Sequence, residues 1–167
     1  MTANNNKAWF EDHRAEYTTL RGEFTDFVAD VVAQTAAFDP SVAHVQAKDA
    51  LFRINRDVRF ARDKSPYKTT FAASFGATGR HGGGPGYHLQ LDAAGQLHHG
   101  AGLHQPEPAV LGRIRDSIVS APNDFARVIQ SAEFLCEFGA IQGERLGKTS
   151  PGNTRGGDSL RHEHELG

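Results

Sequence analysis

The chain is short of the residues and runs that mark most chemistries. It holds a single cysteine, Cys136, among 167 residues. No disulfide can close within it, which fits a reducing compartment and excludes a disulfide scaffold. Cys136 lies in the amphipathic stretch SAEFLCEFG and is expected to be a buried small hydrophobe, not a nucleophile. No apolar run approaches the roughly 20 residues that cross a bilayer. The opening MTANNNKAWFEDH has no apolar signal region. A cytoplasmic protein without membrane contact is expected. Net charge is only −2, so bulk electrostatics do not make the molecule a polyanion binder. Lysine-containing phosphate-loop, nucleophile-elbow, paired-cysteine and EF-hand patterns are missing. No histidine pair has helical two-ligand spacing beside a carboxylate, so neither metal nor cofactor is expected.

What is present points to one mixed domain. The length suits a single core. From Asn4 to Phe38 the pattern is helical. Asn4, Asn5 and Asn6 offer an N-cap. Tyr17, Leu20, Phe24, Phe27, Val28, Val31 and Val32 form one apolar stripe. Gly22 is expected to mark a bend, and Asp39-Pro40 to end the helix. From Ala50 the period becomes two. Phe52, Ile54, Val58 and Phe60 share even positions, as on a strand with one buried face. TTFAASFG reads as a second strand, and YHLQLDAAGQLHHGAGLH as two more joined at Ala94-Gly95. Pro108 opens a helix bearing Val110, Leu111, Ile114 and Ile118, with shorter helical segments after it. The fold class expected is α+β: an N-terminal helix, an antiparallel sheet of about four strands, and C-terminal helices. One domain is expected over 1–147. A polar, disordered tail is expected over 148–167.

Charge is focused on FRINRDVRFARDKSPYKTTF, residues 52–71. Six basic residues there face two acidic ones, whereas the rest of the chain has twelve basic and eighteen acidic. On an unbroken strand, Arg53, Asn55, Asp57 and Arg59 would face one way. Arg56 would fall among Phe52, Ile54, Val58 and Phe60, where arginine is seldom buried alone. Three placements are open: a bulge that re-aims Arg56, an internal pair with a carboxylate, or a cleft. Arginine's planar fork suits phosphate or carboxylate. The expected ligand contacts are therefore Arg53, Arg56, Arg59, Lys64 and Lys68, with Tyr67 as a donor and Asp57 and Asp63 orienting the arginines. The expected partner is a small anionic, phosphorylated ligand. Nucleic acid is not expected, since Phe52 and Phe60 lie opposite Arg53 and Arg59 and build no stacking platform with them. Two alternatives stand beside this reading. One is an enzyme in the same cleft with Asp57, Asp63 or His88 as acid or base. The other is a structural protein whose charges pair internally. GRHGGGPGYH reads as a flexible loop, or as a lid over a neighbouring site.

Three strings resemble a known family: NNNKAWFEDHRAEY, LFRINRDVRFARDKSPYKTTFAASF and PGYHLQLDAAGQLHHGAGLHQPEPAVLGRIRDSI. Over Asn4–Thr149 the chain is similar to domain of unknown function family 2461. The resemblance implies a compact, soluble α+β domain and brings no catalytic residues. It places emphasis on Arg53, Arg56, Asp57, Arg59, Asp63, Lys64, Pro66, Tyr67 and Lys68. Both ends depart from the family pattern, and a truncation or a shifted reading frame is expected to account for the polar tail.

Overall fold

The computed structural model describes residues 3–80 and 82–142. The polar tail expected over 148–167 lies outside the described residues. Asn6 caps helix α1 (Lys7–Asp12) by accepting from the Trp9 amide at 3.0 Å. The chain then breaks at His13 and resumes as α2 (Arg14–Ala36). The bend thus falls at His13 and not at Gly22, through which α2 runs unbroken. The His13 ring bonds the Trp9 carbonyl at 2.8 Å, which holds the joint closed. Asp39-Pro40 ends the helical run as its angles demand, and a short 3-10 turn (Pro40–Val42) follows. A single helical turn, α3 (Ala47–Ala50), leads into the basic segment.

Strands β1 (Phe71–Gly76), β2 (Gly86–Leu91) and β3 (Leu97–Gly102) pair antiparallel in sequence order. The β1–β2 register sets Ser74 opposite His88 and Gly76 opposite Gly86. A Cβ at Gly76 would stand 2.7 Å from the Pro85 carbonyl oxygen, so the close approach of the two strand ends requires glycine. The β2–β3 turn closes with Gly95 at φ 81°, at the predicted Ala94-Gly95 step. Phe24, Val28 and Val32 of α2 pack on Val42, Leu51, Ala73, Phe75 and Leu89. The predicted stripe thus narrows to the residues that meet the sheet, while Leu20 and Phe27 stay exposed.

Among the described residues the sheet has three strands, and Phe52–Phe60 is not a fourth. This segment touches its neighbours through isolated bridges, Leu51 to Ala73 and Asn55 to Tyr67. Between those bridges one side advances four residues and the other six, so two residues lack partners and the ladder breaks. Pro66, which has no N–H, follows at the turn end. The period of two survives in burial up to Val58: Phe52, Ile54, Arg56 and Val58 are half-buried, and Arg53, Asn55, Asp57 and Arg59 are exposed. Phe60 departs from it and is 95% exposed.

The chain divides into two compact units, one up to Gln105 and one from Pro106. The second contains α4 (Pro108–Ser120), α5 (Pro122–Ile129) and α6 (Ala132–Phe138), the first opening at the predicted Pro108. None of the three helices buries a residue fully. Cys136 is correspondingly exposed, contrary to expectation, on a seven-residue helix that buries none of its side chains. No helix among the described residues is long and apolar enough to cross a membrane.

Candidate functional site

The irregular ribbon of residues 51–73 positions the charged side chains. Three backbone bonds tie it together: Phe52 N–H to the Ala72 carbonyl, Lys68 N–H to Ile54, and Arg56 N–H to Pro66, at 2.9, 2.8 and 2.9 Å. Arg56 turns toward the loop end of this ribbon. Its guanidinium meets Asp63 at 2.5 Å and the Ser65 carbonyl at 3.2 Å. Asp63 also accepts from the hydroxyl and amide of Ser65, at 2.6 and 2.9 Å. These bonds, with Arg56 beside them, hold the Asp63 carboxyl far below the usual carboxylate range. Arg56 is thus paired with a carboxylate, as one of the three placements had it, but in the solvent-accessible loop and not in the interior.

The remaining predicted contacts divide into engaged and open groups. Arg59 forks onto Asp57, with Nε–Oδ1 at 2.9 Å and Nη2–Oδ2 at 2.6 Å. The Asp57 carboxyl is lowered chiefly by that bond. The Lys64 ammonium donates to the Val58 carbonyl at 2.9 Å. Tyr67 is buried with its ring 4.4 Å from that of Phe10. Its backbone is held by Asn5. Arg53 and Lys68 differ from these. Among the described residues neither side chain has a hydrogen bond or an ion pair.

Lys68 sits with its ammonium 5.1 Å from the centre of the Phe52 ring. Arg80, from the glycine-rich β1–β2 loop, places its guanidinium 5.4 Å from the same centre and donates to the Leu51 carbonyl. Burial, then the positive charges of Arg53 and Arg80, push the Lys68 ammonium below its ordinary value. His88 stands edge-on to Phe52 at 6.2 Å. Its Nδ1 is 2.8 Å from Ser74 Oγ, as the cross-strand register dictates. Burial, and secondarily His104, lower the His88 imidazole, which favours its neutral form. Sequence reasoning did not find Arg80 or Ser74. Arg80 falls in a loop without periodicity, and Ser74 acquires meaning only through register.

A cleft of about 220 Å³ lies between the two helices and the ribbon. Trp9, Phe10, His13, Glu16, Tyr17 and Leu20 line the helix side. Ile54, Lys68, Thr69, Thr70 and Phe71 line the other. This cleft was missed too, although Trp9, His13, Tyr17 and Leu20 recur at helical spacing and could have signalled a shared face.

Comparison with known proteins agrees with the resemblance of the central string. A family model described as conserved hypothetical protein (DUF2461) matches residues 1–162. No curated protein and no solved structure matches the chain.

Proposed function

Because the chain belongs to the DUF2461 family of conserved hypothetical proteins, we propose its function from the chemistry of its own side chains: binding of a small anionic, phosphorylated ligand beside Phe52. The observation that carries this reading is Lys68. Among the described residues, this half-buried ammonium, crowded by Arg53 and Arg80, has no carboxylate to neutralise it. An anion would relieve that repulsion. Arg53 and Lys68 are then the principal contacts, with Arg80 beside them. Arg56, Arg59 and Lys64 shape the loop through Asp63, Asp57 and the Val58 carbonyl. Tyr67 anchors the ribbon through its ring. The reading takes the protein as cytoplasmic, where phosphorylated metabolites are plentiful.

Thermal unfolding with added phosphates and nucleotides tests it. A ligand at about 100 times its dissociation constant adds about 2.7 kcal/mol of stability. Wild type should melt higher with ligand, and Lys68→Met should lose that gain. If no phosphate or nucleotide stabilises the fold at millimolar concentration, the reading is wrong.

A second reading, an enzyme at the same place, draws on the Ser74–His88 contact. Asp57 and Asp63 are committed to arginines, which leaves His88 as the acid or base. His88→Gln should then abolish turnover while phosphate still raises the melting temperature. Unchanged turnover in that variant would remove His88 from the chemistry.

A further inference from the structure

Apart from Lys68, the lining of the aromatic cleft is not used by the function proposed above. A cavity of about 150 Å³ holds benzene, and drug-sized ligands need roughly 300 Å³ or more. At about 220 Å³, this cleft suits one ring. Its lining offers flat partners. Trp9 and His13 stack at 3.8 Å, and Tyr17 stacks on Phe71 at 5.8 Å. Such faces and edges accommodate a planar apolar group. Each wall carries one carboxylate or ammonium without an ion pair among the described residues: Glu16 on the helix side, beside His13 and Tyr17, and Lys68 on the ribbon side. Lys68 belongs to the cleft and to the cationic cluster at once.

Resting on the anion-binding reading, we infer that the cleft receives the ring of a single-ring aryl anion, a phosphate or carboxylate, whose charge lies at Lys68. Glu16 sets the direction of entry. It repels the anionic end from the helix wall and offers an acceptor to a hydroxyl or amine on the ring.

Calorimetric titration of the full chain with inorganic phosphate, phenyl phosphate, benzoate and phenol tests this. Phenyl phosphate should bind roughly tenfold or more tightly than inorganic phosphate, the gain expected from burying one ring. Benzoate should exceed phenol. Leu20→Trp fills the cleft from the helix side and should bring the ratio of the two phosphates near one. Thr70→Phe does the same from the ribbon side, should the first variant fail to fold. Equal binding of the two phosphates to wild type overturns the ring site and leaves the anion site standing. Equal binding of phenyl phosphate and phenol overturns the bridging ligand together with the anion site. A tenfold preference that persists in a folded, cleft-filled variant places the ring elsewhere and overturns the inference.

Discussion

Asn5 grips the backbone of Tyr67 from both sides. Its Oδ1 accepts from the Tyr67 amide at 3.1 Å, and its Nδ2 donates to the Tyr67 carbonyl at 2.9 Å, across 62 residues of sequence. This clamp joins the helical entrance to the ribbon and holds the Phe10–Tyr67 stack that backs the cleft. Asn5→Ala removes both bonds and leaves partly buried backbone groups unsatisfied. It should destabilise the fold by about 1–3 kcal/mol, read as a lower urea midpoint with unchanged slope. Asn5→Asp retains the acceptor, loses the donor, and should fall between the two.

The acid limb of stability should report Asp63. Its carboxyl is lowered in the folded state by Ser65 and Arg56. The stabilisation is present above the unfolded value of about 3.9 and is lost as pH falls below it. Asp63→Asn should flatten the decline of melting temperature between about pH 4 and pH 2. A parallel decline in both proteins would mean that other carboxylates govern the limb.

Two phenylalanines should separate sharply. Phe75 is 2% exposed and stacks on Tyr87 at 5.2 Å. Phe75→Ala should lose about 3–5 kcal/mol. Phe60, in the loop, should change stability by less than about 0.5 kcal/mol when replaced by alanine. Chemical denaturation of the two variants in parallel makes the comparison.

The Lys68 amine should acylate at a lower pH than the other lysines, because its ammonium is depressed by burial and by Arg53 and Arg80. Arg53→Gln should move its labelling profile upward in pH. Saturating phosphate should protect it. Mass spectrometry of peptides labelled across pH 7–10 follows both effects. A profile indifferent to Arg53 would show that the neighbouring charge is screened.

The legible parts of this fold were those fixed by local chemistry. Asn6 as a cap, Asp39-Pro40 as a stop, the Ala94-Gly95 turn and Pro108 as a first helical residue each follow from backbone geometry that a few adjacent residues determine. The Phe52–Phe60 strand failed for a non-local reason. Its own period of two is sound, but pairing depends on the partner segment, and that segment is two residues too long. For the same reason Arg56 could be identified as a misfit on the apolar face, but not paired. Asp63 reaches it only because the loop turns back. The charged string was visible, while its division into engaged and open cations was not. Lys64 and Lys68 are alike in sequence context. They part because one ammonium meets a carbonyl and the other an aromatic ring.

The mismatch between the two sides of the ribbon has a consequence for how this surface can change. Thr69 and Thr70 lie between the bridges, on the longer side, and line the cleft. Substituting either threonine alters the lining and leaves the mismatch in place. Deleting both makes the two sides equal in length, lets the ladder run from Leu51 to Asn55 without interruption, and removes part of one wall. The ribbon wall of the cleft is therefore set by the spacing of the chain as well as by the identity of its residues. Small substitutions at Thr69 or Thr70 should leave that wall standing, whereas an in-frame deletion of the two codons should remove it.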